Sequence, residues 1–84
     1  MPAKLRFNTA ALKTAATQAR HVRSNGQLRL ATISRHAGID PSVLSRVTRH
    51  ENGPDLATVF FLAKAYQMTV EDLLVVVGLG EAAA

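Results

Sequence analysis

The sequence contains no cysteine, which excludes a disulfide framework, a Cys-based zinc finger and a thiol nucleophile, and leaves packing alone to hold the fold. That absence fits a reducing cytoplasm. Long hydrophobic runs are missing too: no uninterrupted apolar stretch exceeds five residues, as at Leu73 to Val77, whereas a helix needs roughly 20 to cross a bilayer. No membrane association is expected. Lys4, Arg6 and Asn8 interrupt the segment after Met1, so it does not read as a signal peptide. No segment shows sustained polar/apolar alternation, and no strand is expected. The signatures of an enzyme are also lacking: there is no Ser-His-Asp order, paired acids, metal cluster or Gly-rich phosphate loop. His21, His36 and His50 are about 15 residues apart on different expected helices with no cysteine near, which is not a ligand spacing. They read as surface residues, and neither a metal nor a cofactor is expected.

What is present is one small domain. Its 84 residues and 9.0 kDa suffice to bury about 60–65% of the extended-chain surface, too little for a two-domain enzyme with a cleft. Hydrophobic residues make up 48% of the chain and 14 residues are alanine, a globular composition that leans toward helix. The net charge of +4 hides a division: residues 1 to 50 carry nine Lys/Arg against one acid, while residues 51 to 84 carry one Lys against five acids. A basic front and an acidic back suit a polyanionic partner, although solubility alone also makes small domains basic on one side.

Apolar spacing predicts five short helices packed as an all-α bundle around one core. The first runs from Asn8 or Thr9 to about Arg23, with Leu12, Ala16, Ala19 and Val22 inward, and stops at Ser24-Asn25-Gly26. The second covers Leu30 to Ala37 and stops at Gly38. Asp40 caps the third and Pro41 opens it, and it ends near Arg49 or His50. After the loop signal Asn52-Gly53-Pro54, Asp55 caps a fourth helix carrying Leu56, Val59, Phe60, Ala63 and Tyr66. The fifth starts from a capping-box pattern, Thr69 with Asp72, places Val70, Leu73, Leu74 and Val77 inward, and closes at Gly78 and Gly80. Residues 1–8 read as a flexible N-terminal arm, 9–79 as the domain and 80–84 as a frayed tail. Lys4 and Arg6 are then either an arm along a nucleic acid or a mobile terminus.

The junction of the second and third helices carries the functional signal. Two short helices crossing steeply need a small residue at the contact, which Ser34 supplies, and the turn needs a residue tolerant of positive φ, which Gly38 supplies. With Ile39, Leu44 and Val47 inward, the third helix presents Ser42, Ser45, Arg46 and Arg49 outward. Arginine bonds two acceptors on guanine, and serine reaches a base edge or a phosphate. Arg49 serves equally well to end the helix through its dipole. Arg29 and Arg35 flank the second helix and suit backbone contacts.

Over about Leu28 to Val77 the chain resembles the phage-repressor or XRE-like helix-turn-helix family. The resemblance is carried in order by Ala37-Gly38-Ile39-Asp40-Pro41-Ser42-Val43-Leu44-Ser45-Arg46-Val47, by Asn52-Gly53-Pro54-Asp55-Leu56, by Leu62-Ala63-Lys64-Ala65-Tyr66 and by Thr69-Val70-Glu71-Asp72-Leu73-Leu74. It implies a compact five-helix, lambda-repressor-like domain, usually dimeric, whose third helix reads bases and whose second helix grips phosphate at its start. Leu30 stands where the family often has a phosphate-binding Gln, leaving Arg29 or Gln27 to substitute. Thr48 and His50 replace a frequent Glu and Gly, and the first helix is alanine-rich where the family is more charged. The function this implies is a sequence-specific double-stranded DNA-binding regulator, a cytoplasmic and nucleoid-associated repressor.

The fifth helix has more apolar surface than one inward face uses. Val75, Val76 and Leu79 remain, and with Phe61 or Leu62 they are expected to form a homodimer interface; a larger contact within one chain is the structural alternative. Phe60, Phe61 and Tyr66 are assigned chiefly to the core, although one of the adjacent phenylalanines has to point elsewhere. Two rival functions remain: an antitoxin or accessory protein that also masks a protein partner with its apolar C-terminal helix, and a helical module binding an acidic protein without DNA.

Overall fold

Lys4-Leu5-Arg6-Phe7 alternates charged and apolar residues, the period of a half-buried strand. The structure, a computed structural model that describes residues 4–50 and 53–77, has them as β1 (Lys4–Phe7). There follow α1 (Thr9–Gln18), α2 (Leu30–Ala37), α3 (Pro41–Thr48), α4 (Leu56–Ala65), one 3-10 turn over Glu71–Leu73 and β2 (Leu74–Val77). β2 returns antiparallel to β1, with Lys4 opposite Val77 and Phe7 opposite Leu74. The expected all-α bundle of five helices is thus incorrect: the described residues form four α-helices and a two-stranded sheet.

Both ends of the chain contribute to that correction. The capping box forms as its residues predict, Thr69 N donating to Asp72 Oδ2 and Asp72 N to Thr69 Oγ1, each at 3.1 Å. It heads only one turn, however, and the backbone is extended again at Leu74 (φ −123°, ψ 143°). Val75, Val76 and Val77 are stiff at χ1 and favour a pleated surface, and β1 offers them a partner. The expected dimerisation helix is therefore a strand. Nor are residues 4–7 a free arm, because Phe7 is 2% exposed and belongs to the core. Gly78, Leu79, Gly80 and the tail 80–84 lie outside the described residues, as does Asn52.

Asn8 joins the two ends. Its Oδ1 caps α1 by accepting from Ala11 N (3.1 Å), its Nδ2 donates to Asp72 O (3.3 Å), and its own N–H donates to Leu73 O (2.7 Å). Around it the core is built from Phe7, Leu12 and Ala16, Ile33 and Ala37, Leu44 and Val47, Val59, Leu62 and Ala63, and Leu73. Among the described residues, no buried side-chain nitrogen or oxygen lacks a hydrogen-bond partner, as a close-packed interior requires.

α1 is shorter than its apolar spacing suggests. It ends at Gln18, with Arg20 in the left-handed region (φ 63°), Arg20 N donating to Thr17 O (3.1 Å) and His21 N to Ala16 O (2.7 Å). This is a Schellman closure with arginine where glycine is usual. α4 closes the same way at Gln67 (φ 56°), where Met68 N donates to Ala63 O at 2.7 Å. Gln67 is exposed, so Gln67→Gly relieves left-handed strain without emptying any space. Strain of about 1–2 kcal/mol set against an unfolded-state entropy term of about 0.4–1 kcal/mol leaves a net gain of about 0.5–1 kcal/mol. A raised midpoint in urea unfolding is the expected result; an unchanged or lowered one contradicts the strain argument.

The inward face of α4 is also rotated from expectation. Asp55 Oδ2 accepts both Thr58 N (3.2 Å) and Thr58 Oγ1 (3.1 Å), which satisfies Thr58 and lets it turn inward. The buried stripe is consequently Thr58, Val59, Leu62 and Ala63. Leu56, at 74% exposed, and Phe60, at 48%, lie outside it.

Candidate nucleic-acid interface

α2 and α3 are joined by a turn that the sequence specifies tightly. Gly38 is left-handed (φ 74°, ψ 37°), and Gly38 N and Ile39 N both donate to Ser34 O, at 2.8 and 2.9 Å. A Cβ at Gly38 meets nothing within 4 Å, so backbone conformation rather than space calls for glycine. Ser34 is buried and its hydroxyl donates to Ala31 O at 2.9 Å. Asp40 then caps α3, its carboxylate accepting Ser42 N at 2.8 Å, with Pro41 in the first turn.

Leu44 and Val47 hold α3 on the core, and this fixes what it offers to solvent. Ser42, Arg46 and Arg49 are exposed and Ser45 is half-buried, four positions that fall on one side of a helix. Arg49 sits just past the last helical residue, its N–H donating to Ser45 O at 3.1 Å, where its charge also complements the helix dipole. Val43 is half-buried at the margin.

The opening of α2 is the second part of the site. Arg29 occupies the N-cap position, and no side chain caps the helix, so the first-turn N–H groups of Leu30, Ala31 and Thr32 have no partner within the helix. They border a cavity lined by Arg23, Arg29, Leu30, Ala31 and Thr32. Arg29 Nε donates to Val22 O at 3.3 Å. Arg23 is held by a small hairpin in which Val22 bridges Leu28 and Arg23 N donates to Gln27 O at 2.7 Å. Gly26 (φ 86°) turns that hairpin, its N–H donating to Arg23 O at 2.9 Å. A neighbouring groove, which also includes Leu30, brings Lys13 and Gln27 beside Thr48 at the end of α3.

The first turn of α2 and two arginines therefore border one cavity, and a helix N-terminus is where an anion is best held. Arg29 was legible in the sequence, whereas Arg23 was hidden by extending the first helix to it. The signal that locates Arg23 is Asn25-Gly26, a turn pair between two chain segments rather than a helix end. Arg35 is exposed in the last turn of α2, at the opposite end from Arg29, and is not brought to this cavity.

His36 and His50 are exposed, as expected, whereas His21 is half-buried, and His21 and His36 pack together with Tyr66. Tyr66 OH lies 2.7 Å from His21 Nδ1, and His36 Nε2 lies 3.0 Å from Ala65 O. The three rings meet edge-on or tilted, with centroids 5.0 to 5.7 Å apart. Burial, with a smaller contribution from His36, lowers the His21 pKa, and burial raises Tyr66 to about 12. His21 is thus favoured as the neutral ring that accepts from the tyrosine hydroxyl. The cluster ties the segment that follows α1 to α2 and to the end of α4.

Of the residues expected at a dimer interface, Phe61, Val75 and Val76 are exposed, Leu62 is fully buried, and Leu79 lies outside the described residues. Among the described residues no group of three or more His, Cys, Asp or Glu is placed to hold a metal ion, and no helix is long and apolar enough to cross a membrane. Compared with known proteins, the chain matches no family model, no curated protein and no solved structure.

Proposed function

We propose that this chain is a sequence-specific double-stranded DNA-binding transcriptional regulator of the XRE-like type, a repressor that occupies its site with α3 in the major groove. The observation that carries the reading is the pairing of an outward Ser42/Ser45/Arg46/Arg49 stripe on α3 with an uncapped α2 start flanked by Arg23 and Arg29. The stripe supplies base contacts, and the α2 start supplies a phosphate clamp that fixes register on the duplex. Such a regulator works in the cytoplasm, on the nucleoid.

Arg46 is the base reader. Arg46→Ala should cost about 1–3 kcal/mol at a site selected from a random duplex library and relax preference at one base position. Unchanged affinity together with an unchanged sequence profile removes Arg46 from base reading, and failure of the wild type to retain any duplex at low salt removes the reading as a whole.

One observation favours a second reading, an accessory or antitoxin-like protein that also carries a protein partner. Phe60 and Phe61 stand half-exposed on α4 as an edge-to-face pair with centroids 5.7 Å apart, and exposed aromatic pairs suit protein contacts. Co-purification of a stoichiometric partner that Phe61→Ser abolishes distinguishes it from a stand-alone regulator.

A further inference from the structure

Among the described residues neither outer edge of the two-stranded sheet is paired, and the two edges differ in chemistry. Asn8 N donates to Leu73 O, so the alternation of an antiparallel ladder makes Arg6 with Val75, and Lys4 with Val77, the hydrogen-bonded pairs. The main-chain groups of Leu74 and Val76 consequently face away from β1. Leu74 N–H is already taken by Glu71 O. Val76 thus offers both an N–H and a C=O along the free edge of β2.

That edge has none of the devices that usually protect one. Its sequence is Leu74-Val75-Val76-Val77, without charge or proline, and Val75 and Val76 are 38% and 50% exposed. β1 is protected: it carries Lys4 and Arg6, and its four residues share a cleft with His50, Gly53 and Pro54. An uncharged valine edge is a template for another strand, whereas a lysine- and arginine-bearing edge resists one.

We infer that the free edge of β2 pairs antiparallel with β2 of a second copy about a two-fold axis at Val76, making a four-stranded sheet in the order β1-β2-β2-β1. Val76 N–H and C=O each bond to their counterparts, as an isologous contact requires. Charge selects this arrangement over pairing through β1. The Lys4 and Arg6 side chains of the two copies end up on the outer strands, about 14 Å apart at three strand spacings and beyond a Debye length of about 10 Å. Pairing through β1 sets them against each other at about 5 Å. Val76 and Leu5 lie opposite on one face of the sheet, so pairing also brings the half-exposed Leu5 side chain toward a larger apolar face. The inference does not rest on DNA binding.

Sedimentation of the whole chain without DNA tests it. The wild type should run at twice its monomer mass at micromolar concentration, and Val76→Pro should run as a monomer with unchanged far-UV circular dichroism, since proline is tolerated where a strand N–H faces outward. A monomeric wild type, or a folded Val76→Pro variant that remains dimeric, overturns the proposal. If Val76→Pro does not fold, cross-linking decides. The chain has no cysteine, and directly opposed residues have Cα atoms about 5.5 Å apart, within disulfide reach. Val76→Cys should oxidise to a covalent dimer in high yield and Phe61→Cys should not; the reverse pattern, or no cross-link in either, overturns it.

Discussion

Replacing Phe7 with alanine is expected to destabilise the domain by about 3–5 kcal/mol, the range for removing a buried aromatic ring. Small domains have only about 5–15 kcal/mol in total, so a large share of the margin disappears. The ring is 2% exposed and sits in the same core as Leu12, Leu44 and Leu73, and the strand that carries it is zipped to β2. Chemical denaturation of Phe7→Ala beside Lys4→Ala separates strand from arm. Lys4 is exposed on the same strand, and its truncation should move the midpoint little. Were residues 1–8 an arm, both substitutions would be silent, so equal and negligible shifts contradict the placement of β1.

The second large effect is on binding. The double variant Arg23→Ala/Arg29→Ala should weaken duplex binding at physiological salt by about 10- to 100-fold while leaving the order of preferred sequences intact. Removing two phosphate contacts lowers the slope of log affinity against log salt by about 2, because each neutralised phosphate contributes about 0.9. Both arginines are exposed, so the thermal transition should stay close to that of the wild type, apart from the Arg29 Nε bond to Val22 O. Arg46→Ala has the opposite signature, with changed sequence preference and a nearly unchanged salt slope. A double variant with the wild-type slope takes the phosphate clamp away from the start of α2.

The sequence exposed the centre of the molecule far better than its ends. Gly38, Asp40 and Pro41 declare a turn, a cap and a helix start through their own backbone chemistry, and α2 and α3 have the expected bounds to within a residue or two. The ends depend on each other across the chain. Leu73, Leu74 and Val77 satisfy a helical spacing as well as a strand does, and only the alternation of Lys4 to Phe7, far away at the other end of the chain, decides between them. Four residues are too short a pattern to stand out alone. α4 was misphased for another reason: apolar residues surround it, so periodicity does not choose a face and the Asp55–Thr58 cap does. At the candidate interface, Ser42, Arg46 and Arg49 followed from the helix phase. Arg23 did not, because its place depends on a hairpin that begins where α1 stops early at Arg20.

The junction at Asn8 sets an order in time. Its side chain bonds to Asp72 across a separation of 64 residues, and closing a loop of that length has an entropic cost of about 4 kcal/mol in its length-dependent part, against about 2 kcal/mol for a loop of ten. The α2–α3 pair closes only a short loop and is complete once residue 48 has been made. The sheet cannot form until residues 74–77 exist. During synthesis the α2–α3 pair that carries the candidate interface is thus able to assemble well before the seam that locks the core.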